Sequence, residues 1–266
     1  MLCNNPAATS LRKGIRQYDH ADFYPTIRST DVFLCTYPNA GTTWLGFLLG
    51  QLLRQDKSES LNLKSFEKYV PDVNLRYTKR GSLAEFAALA PPRFFRCHAA
   101  FDENLPRVIY VLRDPRDVML SYWHFEKLMK KDFTLSLAEY LQRDDHWPCE
   151  WDQHVASWLC PRRHPNLLVV KYEQMHEKTA DVLGEVLDFS GLRFSDEQIA
   201  QAVEDSRFEK MRGAEEKFGV QGVAGDSNER FVRKGKKGSW RDEMSEEEVR
   251  ILEEKYGETM RQVGYA

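Results

Sequence analysis

The stretch that decides the fold is residues 31–53, DVFLCTYPNAGTTWLGFLLGQLL. Its first part, residues 32–37, is apolar with too little alternation for a half-exposed strand, which predicts a buried parallel strand. Its last part repeats leucine at helical spacing, at positions 45, 48, 49, 52 and 53. The stretch therefore predicts a strand, a tight Pro/Gly loop and a helix that begins at the loop.

The loop has the features of a phosphate-binding site. A helix N-terminus presents unpaired N–H groups and the positive end of the helix dipole, and Gly41 allows close backbone approach. Thr42 and Thr43 add two hydroxyls. The loop is not a Walker A motif, because no Lys precedes the threonines and the second glycine of that motif is missing. It is P-loop-like, although a plain strand-to-helix turn would share the same composition.

Length and composition indicate one α/β domain. The chain has 266 residues, of which 42% are hydrophobic, enough for one substantial core. We expect a central parallel sheet flanked by helices. The net charge of −3 and the pI near 6.2 argue against a general partner role with nucleic acid or anionic membranes, so any basic site must be local.

The five cysteines and the apolar runs indicate the cellular setting. The cysteines form no CxxC pair and no zinc-finger spacing, which predicts reduced thiols and no metal site. The longest apolar run, residues 44–53, is too short to span a bilayer, and no signal-peptide core is present at the N-terminus. We therefore expect a soluble, cytoplasmic protein.

Three further apolar runs are predicted strands, at residues 93–97, 107–112 and 167–172. They end at or beside His98, Arg113 and Tyr172. Because ligands of parallel α/β sheets bind outside the carboxyl ends of the strands, we expect these residues and the first loop to share one cleft. After Arg113, Asp114 caps a helix that begins at Pro115 and runs to about residue 130.

The C-terminal half contains two capping boxes and a basic glycine-rich run. Ser195 with Gln198 predicts a helix that continues through residues 206–208, and Ser245 with Glu248 opens a C-terminal helix. Residues 213–228, rich in glycine and charge, are expected to form a mobile flap. Residues 231–240, FVRKGKKGSW, suit either a solvated basic surface or a phosphate site with close backbone approach.

Three of these segments resemble one family. Residues 36–44, TYPNAGTTW, resemble the Tyr-Pro-Lys-Ser-Gly-Thr-Thr-Trp signature of cytosolic sulfotransferases, except that Asn39 stands where the family has Lys. Residues 113–125 and 231–240 resemble two further motifs of that family, in the family's order. The resemblance covers residues 31–241 and implies one domain over residues 1–266, with an N-terminal arm (1–30) and a C-terminal helix (242–266).

The resemblance implies a donor, 3′-phosphoadenosine-5′-phosphosulfate (PAPS), and a product, 3′-phosphoadenosine-5′-phosphate (PAP). The loop would bind the 5′ end through Asn39, Ala40, Gly41, Thr42 and Thr43. The adenosine would contact Trp44, Tyr172, Ser206 and Phe208. The 3′-phosphate would be bound by Arg113, Ser121, Arg233, Lys234 and Gly235. No metal is implied.

The same resemblance assigns the chemistry. His98 would be the general base that takes a proton from a hydroxyl or amine of a small-molecule acceptor. Arg96 occupies the position of a family Lys, and it is the first candidate to replace the cation that Asn39 lacks. Asn39 can offer a neutral hydrogen bond to the leaving oxygen but no positive charge.

Two functions stay open at this point, an active sulfotransferase and a nucleotide-binding protein of the same fold with little transfer activity. A small-molecule kinase is disfavoured by the missing Walker Lys and by the lack of an evident Mg²⁺ carboxylate. The family's C-terminal dimer motif is not found, so we expect a monomer or a dimer of another kind. His124 is expected to be structural, and the aromatic residues of 147–160 are expected to pack in the core.

Overall fold

A computed structural model of the protein describes residues 23–58, 60–73, 83–159, 164–220 and 230–265. The described strands and α-helices, in chain order, are β1 (Val32–Thr36), α1 (Thr42–Leu53), α2 (Leu83–Ala88), β2 (Phe94–Cys97), β3 (Val108–Leu112), α3 (Pro115–Met129), α4 (Leu137–Leu141), α5 (Trp151–Leu159), β4 (Leu167–Lys171), α6 (Tyr172–Glu177), α7 (Thr179–Ser190), α8 (Asp196–Asp205), α9 (Phe208–Phe218), α10 (Trp240–Glu243) and α11 (Glu246–Val263). Short 3₁₀ turns lie at Tyr24–Thr26 and Ser65–Lys68.

The four strands form one parallel sheet in the order β2-β1-β3-β4. In its register, Cys35 of β1 lies between Cys97 of β2 and Tyr110 of β3. Helices cover the sheet, so the predicted α/β fold with a central parallel sheet is confirmed. The predicted strands are correct to within one residue at each end, and Tyr172 begins α6 rather than ending β4.

The sheet is covered on both faces, which explains why its strands read as continuous apolar runs. Alternate residues of β1 point to opposite sides, so Phe33 and Cys35 enter one cluster while Val32 and Leu34 enter the other. The first cluster is shared with α3, α5 and α11. The second is shared with α1 and α7. Residues of α5 pack in the core as expected, with Trp151 and Trp158 fully buried.

A buried ion pair ties together the amino ends of β1 and β2. Arg93 and Asp31, which immediately precede these strands, are 1% and 0% exposed. The Arg93 guanidinium donates to both Asp31 carboxylate oxygens, to the Phe86 carbonyl at 3.2 Å and to the Thr26 carbonyl at 2.6 Å. Each buried charge is therefore paired and hydrogen-bonded, as burial requires.

The prediction that the helix after Ser195 continues through residues 206–208 is wrong. Helix α8 ends at Asp205, Arg207 is extended (φ −62°, ψ 150°), and α9 begins at Phe208. A tertiary contact stabilises the break, because the Ser206 carbonyl between the two helices accepts a hydrogen bond from the Trp44 indole at 3.2 Å. A capping-box pattern marks where a helix begins but carries no information about this distant partner.

The predicted flap and arm are only partly described. Residues 213–218 belong to α9, so this part of the expected flap is helical. Residues 221–229 and the arm residues 1–22 lie outside the described residues. Across the described ranges, none of the helices combines the length and the apolar character needed to cross a bilayer.

Replacing Asp31 with Ala should destabilise the protein by about 3–5 kcal/mol, because it leaves the Arg93 charge buried without its partner. The measurement is denaturant unfolding of Asp31→Ala against the wild type. The matched control is Asp188→Ala, which breaks the Arg193–Asp188 pair, whose side chains are 79% and 69% exposed. The control should leave the free energy of unfolding nearly unchanged, and equal losses in both variants would contradict a special role for the buried pair.

Candidate functional site

A cavity of about 430 Å³ lies at the carboxyl ends of the strands. All the residues predicted from the sequence line it except Ala40, which is buried in the loop turn. Those residues are Asn39, Gly41, Thr42, Thr43, Trp44, Arg96, His98, Arg113, Ser121, Tyr172, Ser206, Phe208, Arg233, Lys234 and Gly235. The tertiary structure thus brings segments more than 190 positions apart in the chain into one site.

The phosphate loop is shaped by Gly41, the N-cap of α1. Its φ of 115° favours glycine, and a Cβ at this position would lie 2.5 Å from Cδ2 of Tyr172. Glycine has no capping side chain, so the first N–H groups of α1 can serve an anion in the cavity. Asn39 also has a positive φ of 64°, a conformation that Asn tolerates better than most residues. Thr42 Oγ1 lies 3.0 Å from Thr36 Oγ1 at the end of β1.

Arg113 joins three parts of the site. Its Nη1 donates to the Asn39 carbonyl at 3.0 Å and its Nη2 donates to the Lys236 carbonyl at 3.3 Å. The guanidinium carbon lies 4.1 Å from the centre of the Tyr172 ring, a cation–π contact. Its Nε is buried and has no hydrogen-bond partner among the described residues. Arg113 thus holds two loops together and still has one N–H, that of Nε, without a partner among the described residues.

Aromatic rings form the next part of the wall. The Trp44 ring lies 5.8 Å from that of Tyr172 and 4.6 Å from that of His176, centre to centre. His176 was not predicted; its spacing of four residues from Tyr172 on one helix was the available signal. Burial lowers its pKa to about 4, with the charges of Arg113 and Lys237 acting in the same direction. His176 is therefore neutral at pH 7.

Two polar atoms near these rings lack partners among the described residues. They are Nε2 of His176 and Oγ of Ser206, and both are buried. Phe208 packs against Gly235, where the φ of 56° favours glycine and a Cβ would come within 2.2 Å of the Phe208 ring. The close contact explains why the basic run requires glycine at this position.

Asp117 anchors the basic loop, which is the segment of residues 231–239 before α10. Its Oδ2 accepts from the Gly238 N–H at 2.6 Å and its Oδ1 accepts from the Trp240 N–H at 3.1 Å. In the sequence, Asp117 is only an acidic residue in the first turn of the helix that follows Arg113. The side chains of Arg233 and Lys234 both contact the Glu243 carboxylate, and Nε2 of His124 lies 3.7 Å from it.

His98 is held in one orientation by the end of β1. Its Nδ1 lies 2.9 Å from the Thr36 carbonyl oxygen, which can only accept, so Nδ1 carries the proton and Nε2 holds the lone pair of the neutral ring. Burial lowers the pKa of His98 below its ordinary 6.5; the nearby Arg96 lowers it further, while Asp72 and the hydrogen bond to Thr36 oppose the shift. The site therefore favours neutral imidazole.

A second histidine supports the backbone of His98. Nε2 of His154 lies 3.3 Å from the His98 carbonyl and must donate to it, so Nδ1 accepts from the Tyr110 hydroxyl at 2.8 Å. Burial lowers the pKa of His154 to about 3, so it stays neutral. His154 belongs to the aromatic stretch that we assigned to the core, and it is fully buried as expected.

Arg96 lines the cavity, but its charge is already paired. Its Nη2 lies 2.7 Å from Glu67 Oε1 and 3.8 Å from Asp72 Oδ2, and its Nε donates to the Val70 carbonyl at 3.1 Å. This arrangement does not fit the expectation that Arg96 supplies the cation missing at Asn39. Glu67 and Asp72 lie between α1 and α2, outside the motifs quoted from the sequence. The described part of the chain contains no cluster of His, Cys, Asp and Glu arranged to hold a metal ion.

Replacing Gly41 with Ala should destabilise the protein by at least about 1–2 kcal/mol, because Ala disfavours the left-handed backbone and its Cβ would push the Tyr172 ring aside. Thermal unfolding measures this change. Gly184→Ala in α7 is the control, since nothing lies within 4 Å of a Cβ built there, and helix propensity favours Ala. A Gly41→Ala protein as stable as Gly184→Ala would refute the close approach to Tyr172.

Comparison with known proteins identifies the family. A family model described as "Sulfotransferase domain" matches residues 29–264. Cytosolic sulfotransferase 12 of Arabidopsis thaliana is 28% identical over 86% of this chain and 78% of its own length. Human Sulfotransferase 2A1 is 25% identical over 88% of this chain and 85% of its own length.

Solved structures share the fold. Retinol dehydratase in complex with androsterone and inactive cofactor PAP has a TM-score of 0.67 at 23% identity, covering 89% of this chain and 82% of its own. The mouse sulfotransferase SULT7A1 complexed with PAP has a TM-score of 0.65 at 23% identity, covering 88% of this chain and 85% of its own. Since the family model covers most of the chain, the protein belongs to the sulfotransferase family.

Proposed function

We propose that the cavity binds PAPS and that His98 promotes transfer of its sulfuryl group to a hydroxyl or amine of a small-molecule acceptor. Family membership supports sulfuryl transfer over nucleotide binding without catalysis. The observation that carries the nucleotide assignment is the set of buried polar atoms without partners among the described residues, Arg113 Nε, Ser206 Oγ and His176 Nε2, around a cavity at the N-terminus of α1. Buried polar atoms are rarely left unsatisfied unless a ligand or water completes them.

The nucleotide would be bound at two separated anion sites. The 5′ end belongs at the N-terminus of α1, with the backbone of residues 39–43 and the hydroxyls of Thr42 and Thr43. The 3′-phosphate belongs between Arg113, Ser121 and the 233–235 segment. Trp44, Tyr172 and Phe208 would hold the adenosine between them. The structures of related fold contain PAP, the product expected from this donor.

PAPS supplies the sulfuryl group: the acceptor atom bonds to sulfur as the bond from sulfur to the 5′-phosphate oxygen breaks. His98 would hold the proton that the acceptor loses, at Nε2, because Nδ1 is committed to the Thr36 carbonyl. The hydrogen bond from His154 to the His98 carbonyl keeps the ring at the strand end. The uncapped N–H groups of α1 and the Asn39 amide would face the leaving phosphate.

The acceptor would be a small, largely apolar molecule. Apolar side chains line much of the cavity, including Leu63, Phe66, Met129, Met211 and Val220. Two structures of retinol dehydratase contain retinol and androsterone, and a rabbit relative 25% identical to this chain is named amine sulfotransferase. These names support hydroxyl and amine acceptors alike. The Arabidopsis relative is named cytosolic, which supports our proposal of a cytoplasmic enzyme.

Replacing His98 with Ala should lower kcat for sulfate transfer by 10²-fold or more, since a positioned general base contributes about that much. Affinity for PAP should stay within about twofold, because the residues proposed to bind the nucleotide are elsewhere. The measurements are transfer from labelled PAPS to a panel of phenols, alcohols and amines, and calorimetric titration with PAP. Turnover retained in His98→Ala would remove this residue from the mechanism, and failure of the wild type to bind PAP would refute the proposed function.

The pH profile gives an independent readout of the same base. Only neutral His98 can accept a proton, and burial lowers its pKa below the ordinary 6.5. In the wild type, kcat/KM should therefore be constant as pH falls to about 6.5 and decrease only below that, as His98 becomes protonated. A decrease that begins above pH 7 would contradict a buried neutral base.

Replacing Asn39 with Lys should raise kcat on the order of a hundredfold, because it places a cation beside the leaving oxygen. Asn39→Gln is the matched control: it also lengthens the side chain and strains the same positive φ, but it adds no charge. Single-turnover transfer with an active acceptor measures the difference. If Asn39→Lys is no faster than Asn39→Gln, the missing-cation argument fails.

A further inference from the structure

Glu243, the last residue of α10, lies among the cations of the basic loop. Its two carboxylate oxygens are 2.9 and 2.6 Å from Nη1 of Arg233, and one is 2.9 Å from Nζ of Lys234. Nε2 of His124 lies 3.7 Å from the other. Its side chain is only 20% exposed. Neither the sequence motifs nor the proposed reaction assigns Glu243 a role.

The contacts of Glu243 are made with the side chains of the cations, whereas the nearby Asp117 makes two hydrogen bonds with the backbone. Asp117 accepts from the N–H groups of Gly238 and Trp240 and so shapes the loop, and its Oδ2 lies at the longer distance of 3.8 Å from Nη2 of Arg113. Glu243 instead accepts from the same guanidinium and ammonium groups that would bind the nucleotide's 3′-phosphate. Carboxylate and phosphate oxygens use the same charge-assisted hydrogen bonds to Arg and Lys. The two anions therefore draw on the same two cations.

Glu243 is negatively charged in this setting. Burial alone would raise its pKa, but hydrogen bonds and charges from Arg233 and Lys234 outweigh burial and lower the pKa. A phosphate entering beside Arg233 and Lys234 would meet a carboxylate of the same sign that already uses their N–H groups. The carboxylate and the phosphate therefore compete for the positive charge of these two residues.

We propose that Glu243 is an internal anion that competes with the nucleotide's 3′-phosphate and so sets how strongly the enzyme distinguishes PAP from nucleotides without that phosphate. This inference rests on the proposed function, because it takes Arg233 and Lys234 as the 3′-phosphate site. When PAP leaves, the carboxylate returns to the two cations, which favours product release. Glu243 is thus a specificity-determining residue for the donor, with no part in the bond-making step.

The test compares Glu243→Gln with Asp242→Asn. Asp242 is the neighbouring residue in α10 and is exposed, so its variant removes the same charge from the same helix away from the two cations. Calorimetry at fixed ionic strength would measure the affinity of each protein for PAP and for adenosine 5′-monophosphate. We expect Glu243→Gln to bind PAP at least about tenfold more tightly than the wild type, with less than about a twofold change for the monophosphate, since one charge-assisted competitor is removed. Asp242→Asn should change both affinities by less than about twofold.

Two failures are distinguishable. If the wild type prefers PAP to the monophosphate but Glu243→Gln shows no larger preference, Glu243 does not compete with the phosphate and merely positions the cations; the inference is then wrong while the proposed function stands. If neither protein prefers PAP, the 3′-phosphate assignment is wrong, and this inference is overturned with it. A slower dissociation of PAP from Glu243→Gln in stopped-flow experiments would support the competition.

Discussion

The guanidinium of Arg113 is the interaction on which the site depends. It donates to a carbonyl of the phosphate loop at 3.0 Å and to a carbonyl of the basic loop at 3.3 Å, while its flat face covers Tyr172 at the start of α6. Those three segments follow β1, β4 and α9, and the basic loop and α6 are also joined by the more exposed Lys237–Glu177 ion pair. An arginine suits the position because its planar fork can donate in several directions and stack on a ring at once.

The remaining geometry follows from how closely the segments approach at this junction. Tyr172 lies against the phosphate loop at a distance that admits only glycine at position 41, and Phe208 lies equally close to Gly235. Trp44 completes the arrangement, because its indole donates a hydrogen bond to the Ser206 carbonyl, which lies between α8 and α9. The phosphate loop, the basic loop and the aromatic walls of the cavity are thereby held at set distances from one another.

The positive charges in the cavity are balanced by carboxylates that lie close to them. The chain carries a net charge of −3, yet Arg96, Arg113, Arg233 and Lys234 all line one cavity. Three of these cations are paired with carboxylates from other segments, Arg96 with Glu67 and both Arg233 and Lys234 with Glu243. The fourth, Arg113, lies 3.8 Å from the Asp117 carboxylate. The electrostatic field that a nucleotide meets is therefore set as much by these acids as by the basic residues in the motifs.

Local rules predicted the features that depend on nearby residues. The caps at Asp114, Ser195 and Ser245 occur as expected, because a capping hydrogen bond joins residues two or three positions apart. The apolar runs predicted the strands, and the polar residues at or beside their carboxyl ends predicted one cleft. The end of α8 at Asp205 was not predicted, and the contact that stabilises it is made with an indole 162 positions away.

The sequence by itself determined the α/β class and the strand-loop-helix at the start of α1, because periodicity and caps are local properties. Its resemblance to a known family named most of the residues that line the cavity, although it missed His176. Only the tertiary structure decided the charge and orientation of those residues. Arg96 reads as a spare cation in the sequence, but folding places Glu67 2.7 Å away and pairs its charge. The sequence leaves the protonation of His98 open, but in the structure burial lowers its pKa and the Thr36 carbonyl places the ring proton on Nδ1. Desolvation and Coulomb interactions depend on distance in space, and residues 29 and 62 positions apart in the chain become neighbours only when the sheet forms.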